Sequence, residues 1–189
     1  NEEQQFAVNK IINSDKKIFL IHGVTGSGKT EIYMRLVEKA MKSGKESIIL
    51  VPEIALTPQM VERFKGRFGK DVSVFHSKLS DGERYDEWMR VKRGQVKVAI
   101  GARSAIFLPF RNLGFIIIDE EQEWSYKSDS NPKYNAREVG EIKCSQYGCK
   151  MVLGSATPSI ETYHRCTRGE IQLITLKNRA DGAAMPKIR

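Results

Sequence analysis

His22-Gly23-Val24-Thr25-Gly26-Ser27-Gly28-Lys29-Thr30-Glu31 decides the fold. It follows an apolar run at 18–21. It then opens a stretch in which Ile32, Tyr33, Leu36, Val37, Ala40 and Met41 repeat with helical period until Gly44. Gly23 to Thr30 fits G-x-x-x-x-G-K-[ST] between a strand and a helix, the context that gives the pattern meaning. Glycines let the backbone wrap with its N–H groups turned inward, and the helix N-terminus adds partial positive charge. The pattern therefore predicts a triphosphate cradle built from Gly23, Val24, Thr25, Gly26, Ser27 and Gly28. Lys29 would reach the β- and γ-phosphates, and the Thr30 hydroxyl would hold Mg²⁺. ATP and Mg²⁺ are the expected cofactors.

Outward from that loop, apolar runs alternate with amphipathic stretches. Strands are expected at 18–21, 47–51, 72–75, 96–100, 115–118, 150–153 and 171–176, most of them continuous Val/Ile/Leu/Phe runs suited to burial on both faces. Met60, Val61, Phe64 and Phe68 mark one further helix. Ser80 and Glu83 form an S-x-x-E capping pattern ahead of a helix over 85–93 that Gly94 ends. Asn135 with Glu138 reads as a similar start, and Thr157-Pro158 as a cap followed by a first-turn proline, with Gly169 as terminator. The fold class is α/β, a P-loop NTPase with a central, mostly parallel sheet and helices on both faces.

A second chemical signal closes the run at 115–118. Asp119-Glu120-Glu121-Gln122 places acids at the tip of a buried parallel strand, where side chains enter the ligand crevice. Asp119 suits the outer-shell partner of Mg²⁺, and Glu120 the base that orients and polarises a water. Lys29 and Asp119 lie ninety positions apart, so several strands intervene. That spacing favours a RecA-like sheet over a small P-loop kinase, which would also need an acceptor pocket and lid. Glu121 and Glu123 read as a solvated loop. Gly154-Ser155-Ala156-Thr157-Pro158 follows another buried run. By itself it makes an ordinary helix cap; with the two earlier motifs it can bridge the acids to a nucleic-acid side. His76 reads as a loop or packing residue.

Composition narrows the class further. With 40% hydrophobic and 29% charged residues the chain is globular, and its net charge of +8 is compatible with a polyanionic partner without requiring one. No run approaches the ~18 apolar residues of a membrane span, and the polar start Asn1-Glu2-Glu3-Gln4 is unlike a signal peptide. A cytoplasmic setting without membrane contact is expected, unless a targeting segment has been removed. The cysteines, three in number, argue against a disulfide framework, and Cys144, Cys149 and Cys166 lack zinc-site spacing; zinc is not expected.

With these motifs in order, the chain resembles superfamily 2 helicases. Four strings narrow the match: 22–31 as quoted above, Val51-Pro52-Glu53-Ile54-Ala55-Leu56-Thr57, Gly101-Ala102-Arg103-Ser104-Ala105 and Gly154-Ser155-Ala156-Thr157-Pro158-Ser159. Together they are similar to the PriA family of replication-restart helicases (primosomal protein N′), across essentially the whole chain. The resemblance implies the first RecA-like lobe of an ATP-driven 3′→5′ DNA helicase. Residues 1–176 would be the ATP-binding lobe and 177–189 an exit segment toward a second lobe. It implies that Gln4 reads adenine, unless it is an exposed helix-start residue. Thr57, Arg103 and Ser104 would touch the DNA backbone, although such residues also cap helices and pair with acids.

The stretch Glu123-Trp124-Ser125-Tyr126-Lys127, continuing to Lys133-Tyr134-Asn135-Ala136-Arg137, resembles the family's aromatic-rich loop. Trp124 and Tyr126 would stack on bases and Lys127 meet phosphate, unless the rings form a local core. The family usually has His where this chain has Gln122, which can still hydrogen-bond toward Ser155 and Thr157 to couple the two sides. Forked or single-stranded DNA, the second lobe, primosome proteins and single-strand binding protein are the implied partners, and a bacterial, nucleoid-associated setting the implied location. Two other readings stand beside it: another nucleic-acid motor, such as an RNA helicase or double-strand translocase, or a nucleotide- and DNA-binding module without efficient turnover.

Overall fold

The computed structural model describes residues 2–179. Seven strands form one sheet: β1 (Ile18–Gly23), β2 (Glu46–Leu50), β3 (Val72–Phe75), β4 (Val98–Gly101), β5 (Leu113–Ile118), β6 (Lys150–Ser155) and β7 (Gln172–Leu176). Their order across the sheet is β3-β4-β2-β5-β6-β1-β7, and every pairing is parallel. All seven expected strands are present, shifted by a residue or two at their ends. The helices are α1 (Glu2–Asn13), α2 (Lys29–Lys42), α3 (Pro58–Phe68), α4 (Asp81–Lys92), α5 (Ala136–Tyr147) and α6 (Ile160–Thr167).

Alternating strand residues feed two cores. Phe19, Ile21, Ile49, Ile117 and Val152 pack beneath α1, α2 and α3. Leu20, Ile48, Ile116, Ile118 and Met151 pack on the opposite face with Val91 of α4 and Ala136 and Cys144 of α5. Strands covered on both faces need apolar residues at every position, which is why they read as unbroken runs.

Local signals explain most helix starts. Ser80 and Glu83 form the expected capping box at α4. Asn135 caps α5 by accepting from the Arg137 amide, without the help expected from Glu138, which points into solvent. The start of α6 differs from expectation. Its cap is Ser159, which accepts from the Thr162 amide, and Thr157-Pro158 precedes the helix as connecting chain. Helix α1, implied by the alternative reading of Gln4 as a helix-start residue, buries a short stripe of Ala7, Val8 and Ile11. Its C-terminal carbonyls are satisfied from a distance: Lys150 Nζ donates to Ile11, Ile12 and Ser14 at 2.7–2.8 Å. Of the expected exit segment, 177–179 follow β7 and 180–189 lie outside the described residues.

Candidate nucleotide site and nucleic-acid face

The sheet order sets the site. β1, β6 and β5 run parallel, so the loop leaving β1 and the acids leaving β5 emerge on the same edge, with only β6 between them. Gly28 takes φ 87° just before α2, a left-handed turn that a Cβ would oppose. The turn brings the α2 N-terminus to the mouth of the loop. Lys29 is only 8% exposed, and its Nζ donates to the Gly23 carbonyl at 2.8 Å and lies 4.0 Å from Glu120 Oε1. An ammonium with three donors has capacity left for phosphate oxygens. The Ser27 hydroxyl is buried without a hydrogen-bond partner, a second polar group suited to an added acceptor.

Asp119 is held from two sides. Its backbone amide donates to Leu50 at 2.9 Å, and the Tyr33 hydroxyl donates to Oδ1 at 2.8 Å. Tyr33 lies on α2 one turn past Lys29, so the helix that begins at the phosphate loop also fixes the acid on β5. Gly154 makes this contact possible, because a Cβ there would collide with the Tyr33 hydroxyl. Burial pushes the Asp119 carboxyl upward from its ordinary value, against the lowering effect of the Tyr33 bond. A largely buried carboxylate one strand away from the phosphate loop fits a hard cation that takes few protein ligands and keeps water and phosphate for the rest. The residues present thus suit Mg²⁺ with a nucleoside triphosphate.

Glu120 and Gln122 continue the arrangement. Gln122 Nε2 donates to Glu120 Oε2 at 2.9 Å, and the Ser155 hydroxyl donates to Gln122 Oε1 at 2.6 Å. The Thr157 amide in turn donates to Ser155 Oγ at 2.9 Å. One amide side chain therefore joins the acid turn to the tip of β6. Glu121 corrects the reading of a solvated loop: it is fully buried, and Arg137, Ser159 and Thr162 donate to its carboxylate.

On the neighbouring part of the same edge, a cleft of about 360 Å³ is lined by residues that include Arg103, Ser104, Arg84, Ser125 and Tyr134. Trp124 stands beside it, 71% exposed, with Lys127 Nζ 4.0 Å from its ring centroid. Tyr126 is a correction. Its ring is 1% exposed in the core and its hydroxyl donates to the Asp119 carbonyl at 2.6 Å, so it offers no face to a base. Arg103 donates to the Ser125 and Lys127 carbonyls, fastening the loop that carries Trp124. The Thr57 hydroxyl accepts from the Met60 amide as the cap of α3 and remains exposed. Gln4 is buried on the first turn of α1, which corrects the alternative of an exposed helix start. His76 sits in a turn where its Nδ1 accepts from the Lys78 amide.

Cys144 and Cys149 are buried side by side and Cys166 is half-buried. Among the described residues no three His, Cys, Asp or Glu side chains gather as a metal cluster, and no helix is long and apolar enough to cross a membrane.

A parallel sheet with a glycine loop after one strand and an acid pair after another, facing each other across one crevice, defines the RecA-like P-loop class. The chain belongs to the DEAD/DEAH box helicase family, whose sequence model matches residues 1–166, and membership carries nucleotide use with it. It is similar to the replication restart protein PriA of Bacillus subtilis, 54% identical over 99% of this chain and 24% of that protein. PriA of Chlamydia pneumoniae is 48% identical over 98% of this chain and 26% of its own length. The chain thus spans about a quarter of the curated relatives it matches. Among solved structures, RecG bound to a three-way DNA junction superposes with TM-score 0.67 at 23% identity, covering 100% of this chain and 24% of that one. A DEAD box protein from Methanococcus jannaschii gives 0.63 at 21% identity, covering 93% of this chain and 49% of that one. These two show the fold.

Proposed function

We propose that this chain is the ATP-binding lobe of a 3′→5′ DNA helicase or translocase of replication restart. The observation that carries the reading is the single crevice in which Lys29, Glu120 and the Tyr33-held Asp119 meet. Magnesium–ATP, when bound, supplies the phosphoanhydride and the metal charge that draws its oxygens together. The amides of residues 26–30 and the Lys29 ammonium neutralise phosphate charge at the α2 N-terminus. The Thr30 hydroxyl and Asp119 carboxylate hold the cation. Glu120 accepts the proton of the attacking water. Gln122 occupies Glu120 Oε2 and leaves Oε1 turned toward Lys29, so the basic oxygen faces the phosphate side. Gln4 reads the adenine edge.

Single-stranded or forked DNA lies along the same edge. Trp124 offers a stacking surface, and Lys127, Ser104, Thr57 and the free donors of Arg103 meet phosphates without reading sequence. Gln122, Ser155 and Thr157 carry the state of that edge to Glu120. A second RecA-like lobe completes the site from the far side of the crevice. The relatives named for replication restart support this role over an RNA helicase, and by the same analogy the setting is the bacterial cytoplasm at the nucleoid, with primosome proteins and single-strand binding protein as partners.

The test is ATP hydrolysis by the protein at its natural length, with single-stranded DNA, forked DNA or RNA added. Stimulation by DNA over RNA, and a loss of at least 100-fold in kcat for Glu120→Gln, are the expected results. Equal stimulation by RNA would favour the RNA-motor reading, and full activity of Glu120→Gln would remove Glu120 as the base.

A further inference from the structure

Among the described residues, Glu120 is the only one other than glycine whose backbone enters the left-handed region, at φ 46°. Sterics disfavour that conformation for any residue with a Cβ, and it persists only where neighbours over-determine it. The preceding peptide is pinned by the Tyr126 hydroxyl on the Asp119 carbonyl and by the Asp119 amide on Leu50. The following side is pinned by Glu121, whose amide donates to the Gly154 carbonyl at 3.0 Å. Its carboxylate is wholly enclosed and fully engaged. Oε1 accepts from the Ser159 amide at 2.7 Å. Oε2 accepts from Arg137 at 2.6 Å, from the Thr162 hydroxyl at 2.9 Å and from the Ser159 hydroxyl at 3.2 Å.

These donors come from the start of α5 and the first turn of α6. Glu121 therefore ties the turn that holds Glu120 to two helices, α5 packed over β5 and β6 and α6 following β6. A carboxylate kept buried at the cost of desolvation is worth more as an anchor than as a loop residue. Arg137 supplies the charge that makes the burial tolerable.

We propose that Glu121 is a positioning residue for Glu120: its buried carboxylate fixes the left-handed turn so that Glu120 Oε1 stays 4.0 Å from Lys29. The proposal rests on the reading of Glu120 as the water-activating base. Glu121 touches neither the phosphate loop nor the cation side, so its loss displaces the base and leaves nucleotide binding intact. An error of about 1 Å in such a group costs on the order of 100-fold in rate.

The experiment uses the natural-length protein with Glu121→Ala, Glu121→Gln, Arg137→Lys and, as reference, Glu120→Gln. Thermal midpoints, Kd for a fluorescent ATP analogue, and kcat and KM for ATP are read at a temperature where each variant is folded. Glu121→Gln keeps an acceptor for Ser159 and loses the ion pair. Arg137→Lys keeps the charge. Expected is kcat in the order wild type and Arg137→Lys above Glu121→Gln above Glu121→Ala. The last falls about 10- to 100-fold, with Kd and KM within about twofold throughout. If Glu121→Ala does not fold, Glu121→Gln carries the comparison with Arg137→Lys. A kcat for the Glu121 variants within threefold of wild type overturns the proposal, as does a fall in kcat matched by an equal weakening of Kd. Loss of activity in Glu120→Gln alongside normal Glu121 variants sinks this inference while leaving the proposed function standing. Activity in Glu120→Gln sinks the proposed function first.

Discussion

The strained backbone at Glu120 makes a residue-level prediction separate from catalysis. A side chain in the left-handed region costs roughly 1 kcal/mol relative to glycine. Glu120→Gly and Glu120→Ala both remove the carboxylate and its bond from Gln122, but only glycine relieves the backbone. Glu120→Gly should therefore melt about 2–4 °C above Glu120→Ala, with neither turning over ATP. Equal midpoints would show that the turn carries no strain. At this scale the sequence displayed what lies in short, ordered strings and hid what depends on distant partners. Lys29, Asp119 and Glu120 were legible as candidates because they stand in short strings at the start of a helix or the end of a strand. Tyr33 was not, since a tyrosine within an apolar helical stripe reads as core until its hydroxyl is seen on Asp119. Glu121 was misread because the donors that bury it lie 16, 38 and 41 positions away. Tyr126 was misread for the converse reason: its polar, cation-rich neighbours disguise a ring that belongs to the core.

Between elements, α2 and α3 are joined by an ion-pair network. Arg67 donates to Glu38 at 2.7 Å and to Glu31 at 2.8 Å, and Arg35 donates to Glu31 at 2.9 Å. The Arg67 bond holds the Glu38 carboxyl below its ordinary 4.5. For Glu31 burial works upward, but the bonds from Arg35 and Arg67 outweigh it and leave this carboxyl low as well. A depressed folded pKa gives stability that is present above 4.5 and lost as pH falls through the lowered values. These groups are partly exposed, so solvent screening limits the network to about 1 kcal/mol. Arg67→Met should cost about that much at pH 7, and the gap from wild type should narrow as pH falls below 4.5 and through the lowered values, read by urea unfolding across pH. A gap that persists unchanged in acid would assign the loss to packing of the arginine stem. Element starts were legible where the cap is local, as at Ser80. They were displaced where a neighbouring element competes, as at α6, whose cap Ser159 is drawn to Glu121 and leaves Thr157 outside the helix.

For the whole molecule, seven buried parallel strands could be counted from their apolar runs, but their lateral order could not. Nothing local in 18–23 or 113–118 says that β6 stands between them; that follows only from the packing of two cores on alternating residues. The order matters because it sets the phosphate loop and the acid turn one strand apart on their common edge, with Gly154 of β6 leaving room for the Tyr33–Asp119 bond.

Whether Lys29 and Asp119 share one nucleotide is read from magnesium linkage. Binding of a fluorescent ATP analogue is titrated with and without Mg²⁺ for wild type, Lys29→Ala, Asp119→Asn and the double variant. Mg²⁺ should tighten binding at least tenfold in wild type and less than threefold in Asp119→Asn. The two substitutions should fall short of additive, as for groups sharing one metal–nucleotide. An undiminished Mg²⁺ effect in Asp119→Asn, with strictly additive losses in the double variant, would place Lys29 and Asp119 at separate sites and contradict the account.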